Sequence, residues 1–172
     1  VAELASNDHA TTHATLASGV DPARGLGLVN ALEGAQVVVD LCTPSSVEAG
    51  PAMEFLTSST HNLLAAGRKA GINHFVTLSA VGTERLTESP YFRAKLAQEE
   101  EFSAVADVSA IPWTIVRATQ FHEFAAQMFR RAKAGPIHLA PRARIQPVAA
   151  REVAEHLVQV ATQPAQQLAA DL

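Results

Sequence analysis

The sequence predicts an α/β fold: a parallel sheet wound doubly, with helices on both faces. Two observations predict it. Three short runs are continuously apolar and β-branched: Gln36–Cys42, Asn73–Ser79 and Pro112–Arg117. Strands without a polar alternation are buried on both faces, as in parallel sheets. Stretches with helical periodicity follow each of them, and strand and helix in alternation imply βαβ crossovers.

The elements follow in chain order. Val1–Ser6 is expected to end a helix, Asn7–His9 to form a turn, and Ala10–Leu16 to form a weak strand leading into the Ser18–Asp21 loop. Gly25-Leu26-Gly27-Leu28 contains two glycines, but no strand, turn and helix of dinucleotide type surround it, so a loop before a helix is expected. After the first strong strand, Ala52–Ala70 carries Met53, Leu56, Thr60, Leu63 and Leu64 at helical spacing, and Gly71 is placed to end it in the left-handed region. The second strand precedes a helix from Pro90 to about Ala106. The third precedes a helix predicted over Phe121–Ala134, stopped by Gly135, and a last helix covers Arg151–Thr162 with Val153, Leu157 and Val158 facing inward.

The 172 residues carry 13 Lys and Arg against 17 Asp and Glu, with neither sign gathered into a block. That pattern argues against nucleic-acid or membrane-surface binding and for a small-molecule substrate. No apolar run approaches the roughly 18 residues of a membrane span, and the lone cysteine, Cys42, allows no internal disulfide, so a cytoplasmic protein is expected. No repeat, linker or shift of composition divides the chain, and one domain over residues 1–172 is expected. His9 and His13 have a helical metal-pair spacing, but they fall in a turn and a strand with no third ligand, so no metal is expected.

The chemistry gathers at Ser89-Pro90-Tyr91-Phe92-Arg93-Ala94-Lys95. Ser89 and Pro90 suit a helix start, which puts the chain's single tyrosine in the first turn. Lys95 lies four residues on, on the same helix face. A neighbouring cation and the positive helix end both favour a phenolate, so Tyr91 is expected to have a lowered pKa and to exchange a proton. Ser79 closes the second strand, at the sheet edge where open α/β folds bind ligands, and its hydroxyl could orient a carbonyl or alcohol oxygen against Tyr91.

The run VTLSAVGTERL…SPYFRAKLAQEE, with IPWTIVRATQFHEF and RIQPVAAREVAEHL after it, resembles the atypical short-chain dehydrogenase/reductase superfamily, in particular its NmrA-like NAD(P)H-binding proteins. The resemblance implies a Rossmann-type doubly wound sheet that lacks the family's first strand and glycine-rich loop. It implies Tyr91 as acid/base, Lys95 as ribose ligand and modulator of Tyr91, and Ser79 as the substrate-orienting hydroxyl, with Thr83 as a substitute. It implies cofactor contacts from Cys42, Thr43 and Pro44, from Leu78, Tyr91 and Lys95, and from Ala118, Thr119, Gln120 and Phe121, with Gln146–Val148 on the substrate side. Helices 52–70 and 90–106 are those that pair in dimers of related folds, so a homodimer is a possible partner state.

The cofactor expected is NADP or NAD. No acid between His13 and Ser18 marks a ribose 2′-hydroxyl, which tilts the choice to NADP; Arg24 could meet a 2′-phosphate but suits a solvated loop better. The function expected is an NAD(P)H-dependent oxidoreductase acting on a small carbonyl or alcohol. Its rival is a non-catalytic, NAD(P)-sensing regulator, and an inactive remnant is a third possibility. Cys42 is expected to be a small buried residue, His122 to lie near the nicotinamide loop, and Trp113, Phe121 and Phe124 to pack in the core rather than line a substrate box.

Overall fold

The structure, a computed structural model, describes residues 9–46, 48–124, 133–134, 137–138, 146–165 and 169–172. Four parallel strands form the sheet, in the order β1 (Val37–Asp40), β2 (His74–Ala80), β3 (Trp113–Ala118) and β6 (Ala169–Asp171). The register aligns Val38 with Phe75 and Phe75 with Trp113, so the C-terminal ends of the first three strands lie along one edge. Among the described residues no strand precedes β1.

Helix α2 (Ala49–Ala70) connects β1 to β2, and α3 (Pro90–Ser109) connects β2 to β3. Each begins and ends for local reasons. Pro51 sits in the first turn of α2, where a missing N–H leaves no helical bond unmade. Gly71 ends that helix at φ 74°, and Ile72 N donates to Gly67 O at 3.0 Å across the cap. For α3, Ser89 O accepts the first helical bond from Arg93 N at 3.0 Å, and Arg93 Nη1 donates to Thr87 O at 2.8 Å, tying the helix to the loop before it.

Strand alternation assigns the two faces. Val38, Phe75, Trp113 and Ile115 join Leu64 and Phe102 in the core beneath α2 and α3. On the other face Val76 and Val116 pack with Val153, Leu157 and Val160 of α4 (Ala150–Thr162). With α2 and α3 on one face and α4 on the other, the sheet is doubly wound as expected.

Two expectations need correction, and one strand was not expected. Residues 9–15 form no strand; they are almost entirely exposed and lead into a 3₁₀ turn at Leu16–Ser18, because nothing packs against their few apolar side chains. The helix expected over Phe121–Ala134 is helical only at 122–124 among its described residues. Lys133–Ala134 (β4) pairs antiparallel with Ile137–His138 (β5), so the pattern ends in a hairpin rather than a helix. Residues 125–132 and the expected stop at Gly135 lie outside the described residues, as do Val1–Asp8. Strand β6 was not foreseen: two alanines and an aspartate carry no strand signal, and pairing with Ile115–Arg117 places them.

The glycine pair behaves as a loop before a helix. Gly27 starts the four-residue α1 (Leu28–Ala31) at φ 72°, and a Cβ there would lie 2.4 Å from Gly19 O, so the position excludes any side chain. The strand, turn and helix of a dinucleotide fingerprint are absent around it.

Candidate active site

The alternation that buries Val38, Phe75 and Trp113 carries Asp40, Thr77, Ser79 and Arg117 onto the same face, at the C-terminal end of the sheet. Helix α3 lies over that face. Its first turns therefore meet the strand ends with Lys95, Gln98 and Glu99, all nearly inaccessible to solvent.

Ser79 is 5% exposed, and its Oγ has no hydrogen-bond partner among the described residues. A buried polar atom without a partner costs free energy, so such an atom at a sheet edge points to a missing ligand group. Thr83, the substitute, is committed: its Oγ1 donates to Glu99 Oε1 at 3.4 Å. Glu99 in turn accepts from Arg117 Nε at 3.1 Å and from Nη2, and Arg117 Nη2 also donates to exposed Glu84 at 2.8 Å. These bonds hold the Arg117 guanidinium well above even its ordinary pKa.

Lys95 is 4% exposed. Its Nζ donates to Leu78 O and to Gln98 Oε1, both at 2.9 Å. Gln98 Nε2 donates to Asp40 Oδ2 at 3.1 Å, Thr77 Oγ1 donates to the same oxygen at 3.3 Å, and Cys42 N donates to Asp40 Oδ1 at 2.8 Å. Burial pushes the Lys95 ammonium below the ordinary lysine value, while the carboxylates of Asp40 and Glu99 oppose that shift. Sequence reasoning missed Asp40, Thr77, Gln98, Glu99 and Arg117. A carboxylate closing an otherwise all-valine strand, and polar residues three and four positions after Lys95, were the available signals.

Tyr91 departs from expectation. Its ring meets Phe92 edge-on with centroids 5.5 Å apart, and 41% of its surface is exposed. Even so, the protein around the phenol desolvates the phenolate and pushes the pKa up, not down. Burial is the cause, and the Lys95 ammonium makes its hydrogen bonds to Leu78 O and Gln98. Cys42 is half-buried, and burial together with neighbouring Asp40 pushes its thiol far above the ordinary range, which keeps it protonated and unreactive.

The loop segments converge on the same edge. Leu41–Pro44 follow β1, and the Cys42 backbone is fixed to Asp40. Val81 N donates to Ala118 O at 3.0 Å, which joins the ends of β2 and β3. Beyond β3, Phe121 bridges in parallel to Val148: Val148 N donates to Gln120 O at 3.0 Å and His122 N donates to Val148 O at 3.1 Å. The Ala118–Phe121 and Gln146–Val148 segments therefore lie side by side. Trp113 is 9% exposed and packs edge-on to Phe102, and Phe121 joins the core under α4, whereas Phe124 is 44% exposed and belongs to no core cluster. Arg24 is mostly exposed and lies 3.8 Å from Asp21.

An opening of about 640 Å³ sits at the opposite edge of the sheet among Gln36, Asn73, His74, Thr162 and Pro164. It is wide open, and its single titratable group, His74, has its pKa lowered by burial. The ionisable cluster of Asp40, Lys95, Glu99 and Arg117 lies at the C-terminal edge instead.

The profile of the NAD(P)H-binding family matches residues 6–164. The chain belongs to the NAD(P)H-binding family. No curated protein matches the chain. Among solved structures, MoeE5 in complex with UDP-glucose and NAD is similar at a TM-score of 0.69 and 19% identity, over 87% of this chain and 60% of that one. UDP-glucose 4-epimerase from Thermotoga maritima gives 0.70 and 16%, over 89% and 60%. A dTDP-glucose 4,6-dehydratase from Streptomyces venezuelae, DesIV with NAD bound, gives 0.72 and 15%, over 88% and 56%. The chain thus spans less than two thirds of these neighbours' length, and at such identities the likeness is one of fold. Among the described residues no helix is long and apolar enough to cross a membrane.

Proposed function

We propose that this NAD(P)H-binding chain serves an oxidoreductase acting on a small carbonyl or alcohol, with Ser79, Tyr91 and Lys95 as its working set. The observation that carries the proposal is the buried, unpartnered Ser79 hydroxyl, one residue beyond the carbonyl that holds Lys95. These residues fit the nicotinamide half of a dinucleotide. Lys95 has two of its three ammonium protons committed, leaving one donor for a ribose hydroxyl. Cys42–Pro44, Leu78 and Ala118–Phe121 supply the rest of the wall; a glycine turn for the pyrophosphate does not occur among the described residues.

A bound nicotinamide supplies or accepts the hydride. Ser79 donates a hydrogen bond to the substrate oxygen and fixes its position. Tyr91, whose raised pKa keeps the phenol protonated at neutral pH, gives its proton to that oxygen during carbonyl reduction. Lys95, held charged between Leu78 O and Gln98, places positive potential at the edge and favours the phenolate left behind. The buried surroundings of Ser79 and Lys95 strengthen their interactions.

The rival, a non-catalytic NAD(P) sensor, needs no proton donor, and the Ser79 hydroxyl left without a partner favours the enzyme. NADP stays the favoured cofactor because residues 13–18 carry no acid for a ribose 2′-hydroxyl. The test is a titration with NADPH and NADH followed by nicotinamide fluorescence and thermal unfolding. Ligand at about 100 times its Kd is expected to add about 2.7 kcal/mol of stability. Carbonyl substrates, and alcohols such as the UDP-glucose bound by structural neighbours, are then screened with Tyr91→Phe and Ser79→Ala. Each is expected to cost at least about 100-fold in kcat while dinucleotide binding persists. Binding without turnover, unchanged in Tyr91→Phe, would establish the sensor instead.

A further inference from the structure

We propose that Asp40 and Gln98 are positioning residues: they form a relay that aims the Lys95 ammonium and keeps it charged in a dry site, while Asp40 also fixes the backbone of the Cys42–Pro44 loop. The inference deepens the functional proposal above and rests on it for its consequence in turnover.

The chemistry of each link is directional. A lysine ammonium only donates, a carboxylate only accepts, and a glutamine amide can do both. Gln98 stands between the two with Oε1 toward Lys95 Nζ at 2.9 Å and Nε2 toward Asp40 Oδ2 at 3.1 Å. Turning the amide over would face a donor to a cation and an acceptor to an anion, so its neighbours permit one orientation. Both bonds are charge-assisted and correspondingly strong. Gln98 lies three residues after Lys95, within one helical turn, so the α3 backbone fixes the pair.

Asp40 is itself held by three donors: Cys42 N on Oδ1, and Thr77 Oγ1 and Gln98 Nε2 on Oδ2. Its charge reaches Lys95 through the amide rather than by direct contact. That arrangement matters because an ammonium paired face to face with a carboxylate would spend protons on it. Here one Nζ proton stays available on the side away from Leu78 O and Gln98. The groups around Lys95 are Asp40 and Cys42 from β1 and the loop after it, Ser79 and Thr77 from β2, Tyr91 and Glu99 on its own helix, and Arg117 of β3 behind Glu99. Glu99 is engaged by Arg117 and Thr83, which leaves Asp40, through Gln98, as the carboxylate directed at Lys95.

The test follows the titration of Lys95 by ¹³C NMR of labelled lysine in a Lys69→Arg/Lys133→Arg background, where it is the single lysine. Gln98→Leu and Asp40→Asn are each expected to lower its midpoint by about one pH unit or more, since each removes support for the charged form. The double variant is expected to fall no further than the larger single shift, which is the signature of one relay. Gln98→Glu, which sets a carboxylate beside the ammonium, is expected to move the midpoint up. In turnover, the alkaline limb of the kcat profile is expected to move to lower pH in Gln98→Leu with KM for the carbonyl substrate changing less, and Gln98→Glu is expected to restore the limb. An unchanged Lys95 midpoint in Gln98→Leu, or shifts that add in the double variant, would overturn the relay. Gln98→Met replaces Gln98→Leu if the latter fails to fold. A wild-type chain that binds no nicotinamide dinucleotide would sink the functional proposal, and the lysine titration would still decide the relay.

Discussion

The two ends of one sheet face differ more than its two faces do. Beneath α2 and α3, the N-terminal end of the strands presents Val38, Phe75 and Trp113, and α3 answers with Phe102 and Ala106. One or two strand turns further along, the same face presents Asp40, Thr77, Ser79 and Arg117, and α3 answers with Lys95, Gln98 and Glu99. Both ends are equally shielded from water. At one end burial removes apolar surface and stabilises the fold; at the other it desolvates charges and hydroxyls, each of which costs free energy unless paired. Stability and chemistry are thus divided along the strand axis, and one helix serves both through different turns.

The largest effect should come from the apolar end. Phe102 is 1% exposed and stands edge-on to Phe75 at 6.4 Å and to Trp113 at 6.0 Å. Phe102→Ala is expected to cost about 3–5 kcal/mol in chemical denaturation, from lost transfer energy and the cavity left behind. If the division holds, the surviving folded fraction keeps its dinucleotide affinity. A variant that stays folded and loses the cofactor would show that the two ends are mechanically coupled.

That division also explains what the sequence disclosed. β1, β2, β3, α2, α3 and α4 were legible within a few residues because apolar periodicity and the Gly71 cap act locally. Ala10–Leu16 misled because β-propensity without a partner strand builds nothing. The end of the helix expected over Phe121–Ala134 misled because helical spacing continued past the described turn at 122–124 into residues that pair as β4 and β5. The placement of the residues was legible as far as spacing could carry it: Lys95 reaches the strand edge at Leu78, next to Ser79 in the chain, and the Cys42–Pro44 and Ala118–Phe121 segments lie at the same edge of the sheet. The electrostatics were not legible. The direction of the Tyr91 shift follows from burial of the phenol in the folded chain, and the Lys95 ammonium is held by Leu78 O and by Gln98, which in turn meets Asp40, more than fifty residues earlier in the chain.

A smaller perturbation sharpens the apolar side. Gly67 of α2 has no room for a side chain: a Cβ there would lie 2.2 Å from Phe75 Cζ and 2.6 Å from Cε2. Alanine in a helix gains about 0.5–1 kcal/mol over glycine, whereas overpacking costs about 1–3 kcal/mol. The ring it meets is pinned by Phe102, so the clash wins. Gly67→Ala is expected to destabilise by about 1–2 kcal/mol in urea titration. A stabilised variant would show that the Phe75 ring can move and that this end of the core is less tightly packed than the contacts imply.

The smallest effect tests a polar pair at the N-terminal end of the sheet. His74 opens β2 on the α4 face, is 5% exposed, and shares a hydrogen bond of 3.0 Å between its Nε2 and Thr114 Oγ1. Burial lowers its pKa below the ordinary histidine value near 6.5. The unfolded chain therefore takes up a proton near pH 6.5, while the folded chain refuses it until lower pH. The contribution of neutral His74 is fully present above about pH 6.5 and is lost as pH falls from there through its folded pKa, with a slope of at most about 1.4 kcal/mol per pH unit. His74→Gln cannot titrate, so the difference in unfolding free energy between wild type and variant is expected to shrink between about pH 7 and pH 5. A difference that stays flat over that range would mean that His74 protonates as readily folded as unfolded, and that this end of the sheet is wetter than its burial indicates.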